Sequence, residues 1–185
     1  MIDNDELPGW SHAAVSPRDT AEGRVRGNHL HHNRQTGLDY GIELERDTSA
    51  VIEDNRFEHA IAATGIRTQQ YDARLNTVSS NPARHSFDMH GEHEALANNQ
   101  PYAGAVIHID HNASGDTTQK AVVIRGQPAT VATVTGKLLR PRHPGSLGRA
   151  KSALSGRTAG QLVVSANTYS TAPANCSPGS RHVSW

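Results

Sequence analysis

Val51-Ile52-Glu53-Asp54-Asn55-Arg56-Phe57 decides the reading of this chain. β-Branched residues lead into an Asn, one residue follows, and an apolar residue closes the stretch. The pattern returns as Val25-Arg26-Gly27-Asn28-His29-Leu30 and as Ala73-Arg74-Leu75-Asn76-Thr77-Val78. It returns again as Ile107-His108-Ile109-Asp110-His111-Asn112-Ala113 and as Leu162-Val163-Val164-Ser165-Ala166-Asn167-Thr168-Tyr169. Val131 to Leu138 fits with Lys137 in place of Asn. The marker positions 28, 55, 76, 112, 137 and 167 lie 21 to 36 residues apart.

A second set of short strands alternates with the markers. They are Tyr40 to Glu45, Ala60 to Gly65, His85 to Gly91 and Ala121 to Gly126. Units of this length, with two or more short strands and variable loops, read as a stacked β repeat. Helices fail almost everywhere, because Gly, Asn, Asp, Thr and Ser interrupt each window before three turns accumulate. Gly91 to Asn98 and Gly148 to Ser155 are the weak helical candidates. The fold expected is all-β: a right-handed parallel β-helix, or β-solenoid, of about five coils with irregular ends. Residues 1–20 read as an irregular cap with Trp10 over the open end, 21–170 as the β-helix domain, and 171–185 as a loose tail. The recurrent Asn suits a corner, where it tolerates the left-handed backbone region. Its amide can also bond its equivalents above and below.

Composition agrees. Of 185 residues, 35% are hydrophobic and only 4% aromatic, which suits a thin core of small aliphatic side chains. Eighteen basic residues balance eighteen acidic ones, which argues against nucleic acid and anionic membrane as partners. No apolar run approaches the roughly 20 residues of a membrane helix. The first residues lack the basic and apolar regions of a signal peptide. Cys176 is the lone cysteine, so no internal disulfide or cysteine zinc finger can form.

The pattern resembles the right-handed parallel β-helix of the pectin-lyase-like superfamily. The resemblance rests on Val51 to Phe57, His85-Ser86-Phe87-Asp88-Met89-His90-Gly91 and Ala121-Val122-Val123-Ile124-Arg125-Gly126, and spans residues 21 to 170. It implies a polysaccharide or glycan partner and an extracellular or cell-surface setting. It implies a polysaccharide lyase or glycoside hydrolase, or else a non-catalytic binding or adhesion module. The calcium-site motifs of pectate lyases and the paired-Asp motifs of polygalacturonases are absent from the sequence, so no catalytic residue carries over from them.

Strand alternation assigns faces. Phe87 and Met89 should point inward, with Ser86, Asp88 and His90 outward. Ile42 and Leu44 point in, Glu43 and Glu45 out; Val122 and Ile124 point in, Val123 and Arg125 out. Stacked in register, the outer stripe reads Glu43/Glu45, Ala60/Ala62, Ser86/Asp88/His90 and Arg125. The candidate catalytic residues are Asp88, His90, Arg125 and Glu43. Glu45, His59, His85 and Ser86 are candidate substrate contacts. In a lyase, Asp88 or His90 is the base and Arg125 neutralises a uronate carboxylate. Loops 66–72 and 91–103 would wall the groove.

Histidine supplies the other candidate chemistry. Nine of the 12 lie between His29 and His111. His29 and His31 share a face at strand spacing, as do His108 and Asp110, and either pair is compatible with a metal. A divalent metal held by histidines and carboxylates from several coils is the only cofactor suggested. Free strand edges at the ends of the stack invite self-association.

Overall fold

The computed structural model describes residues 1–19, 22–32, 40–45, 47–58, 61–66, 68–79, 85–90, 102–117, 121–125, 127–136, 138–141, 154–156 and 162–169. Among these the secondary structure is β throughout, with no helix. Among the described residues no helix is long and apolar enough to cross a membrane.

The strands form three sheets. Sheet 1 holds β1 (Ile2–Asp3), β4 (Gly23–Arg26), β7 (Ser49–Glu53), β10 (Thr68–Arg74), β13 (Tyr102–Asp110), β16 (Gln127–Thr135) and β19 (Leu162–Ser165). Sheet 2 holds β2 (Glu6–Pro8), β5 (His29–His31), β8 (Arg56–Glu58), β11 (Thr77–Ser79), β14 (Ala113–Thr117), β17 (Leu138–Pro141) and β20 (Thr168–Tyr169). Sheet 3 holds β3 (Ala13–Val15), β6 (Tyr40–Leu44), β9 (Ile61–Ile66), β12 (Phe87–His90), β15 (Val122–Arg125) and β18 (Leu154–Gly156). Within each sheet a strand pairs with the strands three before and three after it in the chain, and the pairs are parallel. Stacked parallel sheets of this order are compatible with a parallel β-helix.

Each repeat therefore contributes three strands where the sequence suggested two. The marker stretch is not one strand. It is β7, a corner at Asp54 and Asn55, then β8. Residues 1–19, read from the sequence as irregular, carry β1, β2 and β3 and pair with the next repeat. The stretch 66–72, expected as a loop, is mostly strand β10, and Leu154–Gly156 is strand rather than helix. The other helical candidate, 91–98, and the tail 171–185 lie outside the described residues.

Register stacks like on like. In sheet 1, Val25, Ile52, Ala73, Ile109 and Val134 follow one another across the strands. In sheet 3 the succession is Ile42, Ala63, Phe87, Val122. In sheet 2 it is Leu7, Leu30, Phe57, Val78 and Ser114. Ile52, Ile109, Phe57 and Phe87 are fully buried. Sequence-distant side chains thereby become neighbours at about 4.8 Å spacing. Truncating one to Ala would cost about 2–5 kcal/mol. Trp10 packs against this core and is partly buried.

The corners explain the Asn pattern. The left-handed residue is the one before each Asn, not the Asn itself: Gly27, Asp54, Leu75, His111 and Ala166 all have positive φ. This turn carries the chain from sheet 1 into sheet 2 and leaves the Asn at a buried corner. Asn28, Asn55, Asn76 and Asn112 are all buried. The Asn28 amide donates to Asn55 Oδ1 at 3.0 Å, Asn55 to Asn76 at 3.0 Å, and Asn76 to Asn112 at 2.9 Å. Each acceptor oxygen also takes the preceding Asn's backbone N–H. The second amide hydrogen reaches back to a main-chain carbonyl, as Asn76 does to Ile52 at 2.8 Å. Burial of four primary amides is tolerated because their polar atoms are paired.

Candidate functional site

Sheet 3 carries the predicted stripe. Register places Glu43, Thr64, Asp88 and Val123 in one column. Register pairs Ile66 with His90 and His90 with Arg125. Glu43 and Asp88 are two strands apart, roughly 10 Å. Phe87 and Met89 are fully buried on the opposite face, as alternation required. Asp88 and Glu43 are not open to water, however. Their exposures are 3% and 8%, and the runs Gly41 to Leu44, Ser86 to Met89 and Ala121 to Ile124 are buried on both faces. Sheets 1 and 2 instead alternate buried with half-exposed residues. Glu43 Oε2 meets His12 Nε2 at 3.0 Å, and Glu45 Oε1 meets Arg18 Nη2 at 2.9 Å. Ser86 Oγ is buried without a hydrogen-bond partner. His85 is half-buried beside the strand. His59 lies outside the described residues, as do the side chains of His90 and Arg125.

Sheet 2 assembles a second group on its outer face. His29 and His31 flank the inward Leu30 on β5, so both imidazoles project outward. Strand pairing sets Glu6 opposite His29 and Pro8 opposite His31. One ligand atom from each of Glu6, His29 and His31 lies within 4.8 Å of the others. His31 Nε2 is 2.9 Å from Glu6 Oε1, and its Nδ1 contacts His32 Nδ1. The His29 and His31 rings stand 4.3 Å apart between centroids. His29 Nε2 is buried without a hydrogen-bond partner, with Glu58 Oε1 3.5 Å away. Glu58 is also paired with Arg56 Nη2. Burial pushes the Glu58 carboxyl up, but Arg56 and His29 outweigh it and hold the group below the usual glutamate range.

Two imidazoles and a carboxylate suit zinc and its borderline neighbours, whereas calcium and magnesium prefer all-oxygen sets. The sequence pairs His29 with His31 but misses Glu6, because residues 1–20 read as irregular. A signal was present: Asn4-Asp5-Glu6-Leu7 repeats the corner of Gly27-Asn28-His29-Leu30 and Asp54-Asn55-Arg56-Phe57. Asn4 also shares the positive φ of Gly27 and Asp54.

The outer face of sheet 1 is a structural charge ladder. Arg26, Glu53, Arg74 and Asp110 succeed one another in register with alternating sign. Arg74 Nη2 meets Glu53 Oε2 at 3.0 Å, and Arg24 Nη2 meets Glu53 Oε1 at 2.8 Å. His108 and Asp110, the other predicted His/acid pair, do share this face. Asp110 is engaged elsewhere, by Thr135 Oγ1 at 2.5 Å and His111 Nδ1 at 2.8 Å.

No protein family, no curated protein and no solved structure matches this chain.

Proposed function

We propose that this chain is a right-handed parallel β-helix of the pectin-lyase-like type that binds a divalent transition metal at Glu6, His29 and His31. The observation that carries the reading is the convergence of those three ligand atoms within 4.8 Å on one sheet face. His29 Nε2 supports it: this nitrogen is buried, makes no close hydrogen bond, and its nearest carboxylate oxygen, on Glu58, stands at 3.5 Å. The site binds and tethers; it needs no reacting group. Zinc, nickel, copper and cobalt are its metals by donor type.

The test is metal analysis of the purified chain after equilibrium dialysis against zinc, nickel, calcium or magnesium. One equivalent of zinc or nickel should be retained, with calcium and magnesium passing through. The His29→Ala/His31→Ala pair should abolish retention while the circular dichroism stays that of a β protein. Equal retention by the double variant, or none by the parent chain, overturns the reading.

A second reading, association with an extended polysaccharide outside the cell, has its own support. It draws on the pairing of Glu43 and Asp88 through Thr64 and of His90 with Arg125 in sheet 3, residue types that a lyase acting on uronates would use. The burial of Glu43 and Asp88 ranks it second and favours binding over cleavage. Polyuronate assays for unsaturated product, with Asp88→Asn as control, test it. Activity that disappears in the variant would promote this reading over the first.

A further inference from the structure

Resting on the metal reading above, the geometry points to Glu58 as the fourth ligand, so that one cation ties β2, β5 and β8 together, with Arg56 competing for that carboxylate. Glu6 comes from the first repeat, His29 and His31 from the second, and Glu58 from the third. Pairing of His29 with Arg56 and of Leu30 with Phe57 brings Glu58 level with His31 on the outer face. Two ligands of one tetrahedral zinc, each about 2.0–2.1 Å from the metal, stand about 3.3 Å apart. His31 Nε2 and Glu6 Oε1 are 2.9 Å apart, and His29 Nε2 and Glu58 Oε1 are 3.5 Å apart. The two separations bracket that value; Glu6, His29 and His31 already converge within 4.8 Å, and the Glu58 carboxylate joins them by swinging away from Arg56.

A set of two imidazoles and two carboxylates closes the coordination shell, which is the mark of a structural rather than a catalytic zinc site. Its consequence is mechanical. The short first strands β1 and β2 hold only Ile2–Asp3 and Glu6–Pro8, and each has a parallel partner on one side among the described strands. A cation held by Glu6 and by two deeper strands pins this edge. Arg56 opposes it: its guanidinium pairs with Glu58 and is itself largely exposed, so it can withdraw to solvent when the metal arrives.

The test measures zinc affinity of the full chain by competition with a chromophoric chelator, for the parent, Glu58→Gln and Arg56→Gln. Hydrogen exchange of residues 2–8 is followed with and without zinc, and cobalt(II) spectra report coordination. Glu58→Gln should weaken zinc tenfold or more and alter the cobalt spectrum. Arg56→Gln should tighten zinc several-fold. Zinc should slow exchange of residues 2–8 in the parent but not in Glu58→Gln. Zinc uptake by the parent that Glu58→Gln leaves unchanged in affinity and spectrum overturns the fourth ligand while sparing the three-residue site. Weaker binding by Arg56→Gln overturns the competition. No uptake by the parent overturns the site as a whole.

Discussion

Asn55 and Asn76 lie 21 residues apart in the chain, yet the side-chain amide of the first donates to Oδ1 of the second at 3.0 Å. The same oxygen accepts the Asn55 backbone N–H at 3.0 Å. Asn76 in turn donates to Asn112 and to the Ile52 carbonyl. Asn76→Ala would strand donors and acceptors on both sides in a buried setting. It should lower stability by about 3 kcal/mol, since each orphaned buried group costs about 1–3 kcal/mol. Urea unfolding measures this; a loss under about 1 kcal/mol would mean the ladder is ornamental.

Lys137 follows the left-handed Gly136 in sequence, the position that Asn takes after Gly27, Asp54, Leu75, His111 and Ala166. Lys137→Asn supplies the missing residue between Asn112 and Asn167. A gain of about 1 kcal/mol is expected, near the net worth of one hydrogen bond. A higher urea midpoint at unchanged slope is the signature, and an unchanged midpoint would refute it.

Leu75 occupies the left-handed region at φ 57° with its side chain 54% exposed. An L-residue pays roughly 1–2 kcal/mol there and Gly does not. Gly27 and Gly136 fill the same corner in other repeats. Leu75→Gly should therefore stabilise the chain by about 0.5–1 kcal/mol after the entropy of Gly in the unfolded state is counted. Thermal unfolding decides the sign.

Tyr71 is fully buried in sheet 1. Burial, and then the charge of Asp88, push its hydroxyl well above the usual tyrosine value of 10.0. The native state keeps this proton longer than the unfolded state does. The stabilisation is complete below pH 10 and is lost as pH rises beyond it. Ultraviolet titration should show Tyr71 ionising only together with unfolding. Tyr71→Phe should remove part of the alkaline sensitivity; early, reversible ionisation of all four tyrosines in the folded chain would contradict the burial.

Asp110 responds in the opposite direction. Burial raises its carboxyl, but the bond from Thr135 and the contact with His111 outweigh it and hold the group below the usual aspartate range. A depressed native value means that stability is present above the unfolded pKa and drains away as pH falls through the native one. Thr135→Val should lower stability most at neutral pH, with the difference from the parent shrinking as pH falls through the aspartate range. A deficit that stays the same at every pH would show that Thr135 acts through packing alone.

The alternation of Phe87 and Met89 with Asp88 was readable from residue types, because a strand's period is fixed at two. So was the recurrence of Asn, because a primary amide both donates and accepts and can repeat indefinitely. The sequence did not show that the left-handed residue precedes the Asn, since Leu75 and Ala166 give no hint of positive φ. Nor could it show that the runs Gly41 to Leu44, Ser86 to Met89 and Ala121 to Ile124 in sheet 3 are buried on both faces. That depends on segments distant in the chain, and a polar Asp88 reads as solvent-facing until its surroundings are known. Glu6 escaped because Glu6-Leu7-Pro8 is too short to display a period by itself.

Because every described strand takes its pairing partners from the strands three places before and after it, the molecule's length is an adjustable quantity. Cutting out residues 55–75 would rejoin Asp54 to Asn76, restoring a left-handed residue followed by an inward amide. The flanking strands would meet in the register they already use. A gene encoding such a chain could gain or shed whole units by slippage, and selection could set its reach without inventing a new core.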